Sequence, residues 1–362
     1  MPIYVSLSNI KKPSKLISPL TSAPIQLVKA AFKLPFTEAM KQCGVSSSYY
    51  YRKVRLPSGD DDPESFLPEK PFWKLINLVA KQEGIPDFGT RVAEIRPWCK
   101  IESLAPLLQS SKTLEELLIA FCTAASGQST HAHFELEQNN ESIWFKKIDK
   151  PLIRSDSQME MYRLTSMIQL VQVAAGSTWI PEKVRLIMQE TCLEMHCKWI
   201  QNSQLVFNRG ESSISIPNTL LNLPVSLKIP VTGSKLRTYD INANFLDSLR
   251  QIIRIYVGHG DCSIDTISEA VDISVRTLQR HLKNRRYKFN TLCGEVKLEM
   301  AIEYLKAGRS VSETATLLNY SDIAHFTRAF KRWTGKTPSS FRKRAKKPRR
   351  NCNQSKLTRT VS

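Results

Sequence analysis

The sequence predicts two units in series. The first is an α+β domain over residues 21–230; the second is an all-α domain over residues 244–344 with two helix-turn-helix units joined by a linker helix. Three observations predict it. Hydrophobic periodicity mixes helical spacing with strict alternation as far as residue 230 and is helical throughout after it. A short apolar helix, a break and a strongly amphipathic helix occur twice in the last third, about 47 residues apart. Charge is also uneven. The chain has 362 residues, with 52 Lys and Arg against 33 Asp and Glu, yet residues 251–362 alone carry 23 basic and 9 acidic side chains. A positive field on the scale of a domain implies a polyanionic partner.

Residues 1–20 lack periodicity and read as a leader. "IQLVKAAFKL" (25–34) opens a run of short helical patterns. Asp60, Asp61 and Asp62 precede Pro63 with no spaced ligands after them, which fits a solvated turn rather than a metal loop. "FWKLINLVAKQEG" (72–84) reads as an amphipathic helix closed by a glycine C-cap. "TLEELLIAFCTAA" (113–125) opens with a capping box, Thr113 and Glu116. "THAHFELEQNNESIWFKKI" alternates across Asn139-Asn140 and reads as a β-hairpin, which would place His131 and His133 on one strand face. A helix over 158–174 follows, then alternating runs at 197–208 and 212–217 that read as strands. Residues 231–243 are polar and read as the linker, and 345–362 as a basic tail.

Several function classes lose support. The longest uncharged apolar run, "LLIAFCTAA" (117–125), is about half of the ~20 residues a spanning helix needs, so no membrane partner is expected. Lys11, Lys12 and Lys15 are followed by no apolar core of a signal peptide. The cysteines at 43, 99, 122, 192, 197, 262, 293 and 352 form no C-x-x-C, which points to free thiols and a cytoplasmic setting. No G-x-S-x-G elbow, P-loop or G-x-G-x-x-G fingerprint occurs, and neither His131-x-His133 nor Cys192, His196 and Cys197 completes a zinc set. No catalytic residue, metal or cofactor is assigned. An enzyme tethered to DNA, such as a cysteine-dependent alkyl transferase, would need a reactive thiolate, for which Cys192 and Cys197 are the clustered candidates.

The last third carries the chemistry. In "SIDTISEAVDISVRTLQRHLKN", Ile264, Ile267, Ala270 and Val271 form one short apolar face. The chain breaks at Asp272-Ile273, and Ser274 is placed to N-cap the next helix. There Val275, Leu278 and Leu282 point one way and Arg276, Gln279, Arg280 and Lys283 the other. Arg pairs in bidentate fashion with guanine O6 and N7, and Gln likewise with adenine, so such a face suits a major groove. The second unit, "SVSETATLLNYSDIAHFTRAFKRWTGKTP", turns at Asn319-Tyr320 and caps its second helix near Ser321. Phe326, Phe330 and Trp333 face inward; His325, Arg328 and Arg332 face out. Base reading is therefore expected from Arg276, Thr277, Gln279, Arg280, His325 and Arg328, and phosphate contact from Ser274, Lys283, Ser321, Lys331 and Arg332. The partner is double-stranded DNA. The tail "RKRAKKPRR" (342–350) suits sequence-independent phosphate contact or solubility. A nonspecific architectural protein would fit that tail, but not two distinct reading faces.

"SVRTLQRHL", "EVKLEMAIEYL" and "NYSDIAHFTRAFKRWTGKTPSSFR" resemble the AraC/XylS family of bacterial transcription regulators over residues 244–344. "SKTLEELLIAF" (111–121), "GSTWIPEKVRL" (176–186) and "ISIPNTLLNLPV" (214–225) resemble the α+β effector-binding and dimerisation domain of one branch of that family, not the cupin barrel of its founding members. The resemblance implies a transcription activator that works with RNA polymerase, a small-molecule effector at residues the sequence does not place, and pairing of two chains. Three departures stand out. Lys297 replaces an arginine of a buried ion pair, Arg286 a glycine, and Asn319 the glycine of the second turn.

Overall fold

A computed structural model describes residues 25–59, 62–101, 103–148, 157–188, 198–207, 210–225 and 245–345. The first part begins with strand β1 (Leu27–Lys29), a 3-10 turn, and helices α1 (Lys33–Gln42) and α2 (Ser47–Lys53). Strand β2 (Phe66–Pro68) pairs antiparallel with β1, Val28 opposite Leu67. The helical pattern expected over 25–34 thus begins as a strand and becomes helical only from Ala30, as the 3-10 turn that leads into α1. The partner of that strand lies about 40 residues away, a long-range pairing that local periodicity does not encode.

Helices α3 (Lys70–Glu83), α4 (Phe88–Ile95), α5 (Ala105–Leu108) and α6 (Leu114–Ala125) follow. Helix α3 ends on Gly84 at φ 64°, a left-handed C-cap that glycine adopts without Cβ strain. Thr113 caps α6 by accepting from the Glu116 N–H, while the Glu116 carboxylate reaches the N–H of Lys112 rather than that of Thr113.

Strands β3 (Phe134–Gln138) and β4 (Ser142–Ile148) form the expected hairpin, with Asn139 Oδ1 accepting from the N–H groups of Glu141 and Ser142. His131 and His133 precede β3 and share no strand face, a correction to the alternation reading. Helix α7 (Ser157–Ala175) crosses behind the sheet with most of its side chains buried. Strand β5 (Lys183–Arg185), helix α8 (Lys198–Asn202), strand β6 (Gln204–Val206) and strand β7 (Glu211–Pro217) complete a five-stranded sheet in the order β3-β4-β7-β5-β6. Only β5 and β6 pair in parallel.

Residues 198–202 are helical where a strand was expected. Trp199 and Ile200 are both buried, which an alternating strand with one wet face cannot achieve, and the Trp199 indole donates to Thr165 Oγ1 at 3.2 Å. In α7, fully buried Glu160 accepts from the N–H groups of Ile187 and Met188 and from Ser212 Oγ, at 2.7, 2.9 and 2.8 Å. One carboxyl group thus joins α7 to β7 and to the turn after β5, satisfied as a buried polar group must be.

The second part is wholly helical: α9 (Phe245–Gly258), α10 (Ile264–Ala270), α11 (Val275–Asn284), α12 (Phe289–Lys306), α13 (Val311–Leu317), α14 (Ile323–Thr334) and α15 (Pro338–Ala345). Two apolar cores form. One runs through the first part; the other joins α9–α14 but also takes in Ile25, Leu27 and Phe66 of the β1–β2 ribbon. The Tyr256 hydroxyl donates to the Arg55 carbonyl, and Gly59 passes so close to His259 that a Cβ there would lie 2.6 Å from the ring. The expected linker (231–243), the leader, Asp60, Asp61, and the Cys192, His196 and Cys197 group lie outside the described residues. No helix among the described residues is long and apolar enough to cross a membrane.

Candidate nucleic-acid interface

Each helix-turn-helix unit is built from two capped helices and a left-handed turn. Ser263 and Ser274 cap α10 and α11, accepting from the N–H groups of Thr266 and Thr277 at 3.0 and 3.2 Å. Between them Asp272 adopts φ 55°. In the second unit a full capping box, Ser310 with Glu313, starts α13, and Asn319 turns at φ 55°. Asp and Asn tolerate this conformation where glycine is the usual choice. Arg286, also replacing a family glycine, sits at φ 60° after α11.

Helix α14 is capped by Asp322, whose Oδ1 accepts from the His325 N–H at 2.5 Å. The cap was expected near Ser321, which lies one residue earlier and donates to Asp322 Oδ2 at 3.3 Å. A carboxylate is the stronger acceptor for a helix N-terminus, where it also meets the positive end of the dipole. The His325 N–H holds the Asp322 carboxyl below its ordinary range.

Helix α11 buries Leu278 and Leu282 and leaves Arg276, Gln279, Arg280 and Lys283 exposed, with Ser274 exposed and Thr277 half-buried at its start. Helix α14 buries Phe326, Ala329 and Phe330 and exposes His325, Arg328, Lys331 and Arg332. Neither helix carries an acidic side chain. The sequence reading passed over Ile323, an apolar residue 47% exposed on the first turn of α14. Spacing gave no signal for it: Ile323 stands three and seven residues before Phe326 and Phe330, on their own stripe, and is exposed only because the first turn of α14 meets no core there.

The units are fixed to one another by α12, 18 residues and therefore about 27 Å long. Arg250 of α9 pairs with Glu295 and, at 3.3 Å, with Glu299, and Arg254 with Glu303, bracing α9 along α12. Lys297, in place of the ion-pairing arginine, sets its ammonium 4.7 Å from the centroid of the Tyr320 ring at the second turn. Helix α15 closes the domain: Phe341 packs on Phe330, and Arg342 donates to the Gly308 carbonyl. The first residues of the expected tail are therefore the end of a helix, and the tail from 346 lies outside the described residues.

This is the architecture of a DNA-binding regulator with paired helix-turn-helix units. A family model of the helix-turn-helix domain matches residues 267–344, and one described as the arabinose-binding domain of AraC transcription regulator, N-terminal, matches residues 44–225. The chain belongs to the AraC family of transcription regulators, and it is a DNA-binding transcription regulator. The HTH-type transcriptional regulator VirS of Mycobacterium tuberculosis is 21% identical over 328 residues, 87% of this chain and 96% of that one. The ornithine utilization regulator of Pseudomonas aeruginosa is 28% identical over 36% of this chain and 40% of its own. Among solved structures, the transcriptional regulator CdpR of Pseudomonas aeruginosa covers 86% of this chain and 98% of its own, at 16% identity and a TM-score of 0.36. The family is one of regulators, which are generally not enzymes.

Proposed function

We propose that α11 and α14 enter two successive major grooves on one side of a DNA duplex. The observation that supports this most directly is the pairing itself: two capped helices, each apolar inward and basic outward, held by one rigid connecting helix. Arg276, Thr277, Gln279 and Arg280 read bases in one groove, and His325 and Arg328 in the next. Ile323 adds an apolar contact suited to a thymine methyl. Ser274, Lys283, Ser321, Lys331 and Arg332 hold phosphates and set the register. Resemblance to the family supports an activator in the cytoplasm that works with RNA polymerase, pairs with a second copy and answers to a small molecule.

The test compares affinities on a selected site and on random duplex. Arg276→Ala and Arg328→Ala should each lose about 1–3 kcal/mol on the site and little on random DNA. Equal losses on both would reduce these arginines to phosphate contacts.

A further inference from the structure

An apolar cavity of the first part is walled by the first turn of α3, by α6, by the start of β3 and by the first turn of α7. Its volume is about 80 Å³, and eight Phe, Trp and Tyr side chains are among those that line it. Trp98 and Phe121 stack at 4.9 Å with planes 10° apart, and Phe134 meets both rings edge-on. A void of this size among aromatic side chains departs from the close packing of protein interiors, in which gaps larger than a water are few. One edge is polar. There the Glu69 carboxylate accepts from Ser129 Oγ at 3.1 Å and lies 3.8 Å from His131 Nδ1.

The same helical turn that closes the cavity also reaches the DNA-binding part. Glu69 is the N-cap of α3; Phe72 and Trp73 line the cavity. Lys70 and Lys74, on the other side of that turn, both donate to Asp272, Lys74 at 3.2 Å. Asp272 is the left-handed residue on which the first helix-turn-helix turns, two positions before the Ser274 cap of α11. No other element carries cavity-lining side chains and ion pairs to a helix-turn-helix turn among the described residues.

We infer that this cavity is a binding site for a compact aromatic molecule with one polar end, seated against the Glu69, Ser129 and His131 edge, and that α3 relays its occupancy to the turn at Asp272. The relay rests on the DNA-reading role proposed above; the binding site does not. A ligand wedged against Phe72 and Trp73 shifts the turn that carries Lys70 and Lys74, so the two ion pairs differ between filled and empty states. That difference is the coupling a regulator needs, since a ligand shifts an equilibrium only by what it gains in one state over the other.

The test uses the full chain and three probes that share an aromatic body and differ in the head: indole, tryptamine and indole-3-acetate. Calorimetric titration should show saturable binding of at least one probe, one per chain. Ala132→Phe, which fills the cavity, should abolish it. Glu69→Gln, which preserves shape, should change the affinity of the best probe by about 5-fold or more. No binding by any of the three, or binding unchanged in both variants, overturns the site. The relay is read separately, as the change in affinity for a selected duplex when the probe is added. Lys70→Ala with Lys74→Ala should keep probe binding and lose that change. A probe that binds wild type without altering DNA affinity overturns the relay. A chain that prefers no duplex at all overturns the DNA-reading proposal instead, and leaves the probe result standing.

Discussion

Lys70, the first residue of α3, donates its ammonium to the carboxylate of Asp272, the residue on which the first helix-turn-helix turns. The two are 202 positions apart in sequence, and the residues beside them, Phe72 and Ala270, belong to different apolar cores. Burial works against the charge on Asp272, but the hydrogen bonds and charges of Lys70 and Lys74 outweigh it and hold the carboxyl below its ordinary value of 3.8. A depressed carboxyl contributes stability that is complete above its unfolded pKa and is lost as pH falls through the folded one. The clasp is therefore constant across neutral pH and fails only in acid, below 3.8.

Removing the clasp should loosen the turn more than it destabilises the fold. The ion pairs are partly exposed, so Lys70→Ala with Lys74→Ala costs under about 1 kcal/mol in global stability. Amide exchange over residues 268–274 should rise, because the Ile273 N–H to Ser268 carbonyl bond that closes the turn loses its outer support. Exchange unchanged there, measured by mass spectrometry of peptides, would leave the clasp without structural effect.

His281 gives the first unit a pH dependence nearer neutrality. Its ring stacks on Phe245 at 5.1 Å; burial first, then the charges of Arg285 and Arg280, push its pKa below 6.5. The unfolded state then binds the proton more readily, so stability is complete above 6.5 and declines as pH falls below it toward the folded value. Urea midpoints at pH 7.5 and 5.5 should differ more for wild type than for His281→Gln. Equal differences would assign the dependence to other groups.

Glu160 holds three donors of the sheet domain at once. Glu160→Ala leaves Ile187 N–H, Met188 N–H and Ser212 Oγ without their common acceptor in a fully buried place. The expected loss is about 3 kcal/mol or more, since each stranded donor adds its own desolvation penalty. Glu160→Gln, which keeps one carbonyl oxygen, should lose less. Chemical denaturation followed by tryptophan fluorescence reads both.

Cys262 and Cys293 place their sulfurs 3.6 Å apart, joining the loop before α10 to α12. The bond between the two thiols raises the pKa of Cys262 and lowers that of Cys293, which Lys297 also favours as thiolate. Diamide, which takes up the two thiol hydrogens, should link this pair before it reaches Cys99 or Cys122. Burial raises both of the latter, Cys122 to about 12. Peptide mapping that finds Cys99 or Cys122 modified first would contradict the arrangement.

The sequence was most legible where local spacing and burial agree. Helix α11 was readable because Leu278 and Leu282 recur at helical spacing against an unbroken polar face, and Ser274 marks its start. The cap of α14 was legible only as lying near Ser321, because Ser321 and Asp322 are adjacent and both cap well; geometry decides for Asp322. The β1–β2 ribbon was illegible for a different reason. Leu27, Val28 and Lys29 gain their partners from residues 66–68, a pairing with no local signature. The cavity and its relay were invisible for the same cause: Glu69, Ser129 and His131 converge only after α3 and the approach to β3 have packed.

The most direct measurement is selection of bound duplexes from a random pool by the full chain, followed by footprinting of the enriched sequence. Two blocks of preferred bases should emerge, centred about 10–10.5 base pairs apart on one face of the duplex. Arg276→Ala should relax the first and Arg328→Ala the second. Enrichment of a single block, or of none, would contradict the reading of two grooves by α11 and α14.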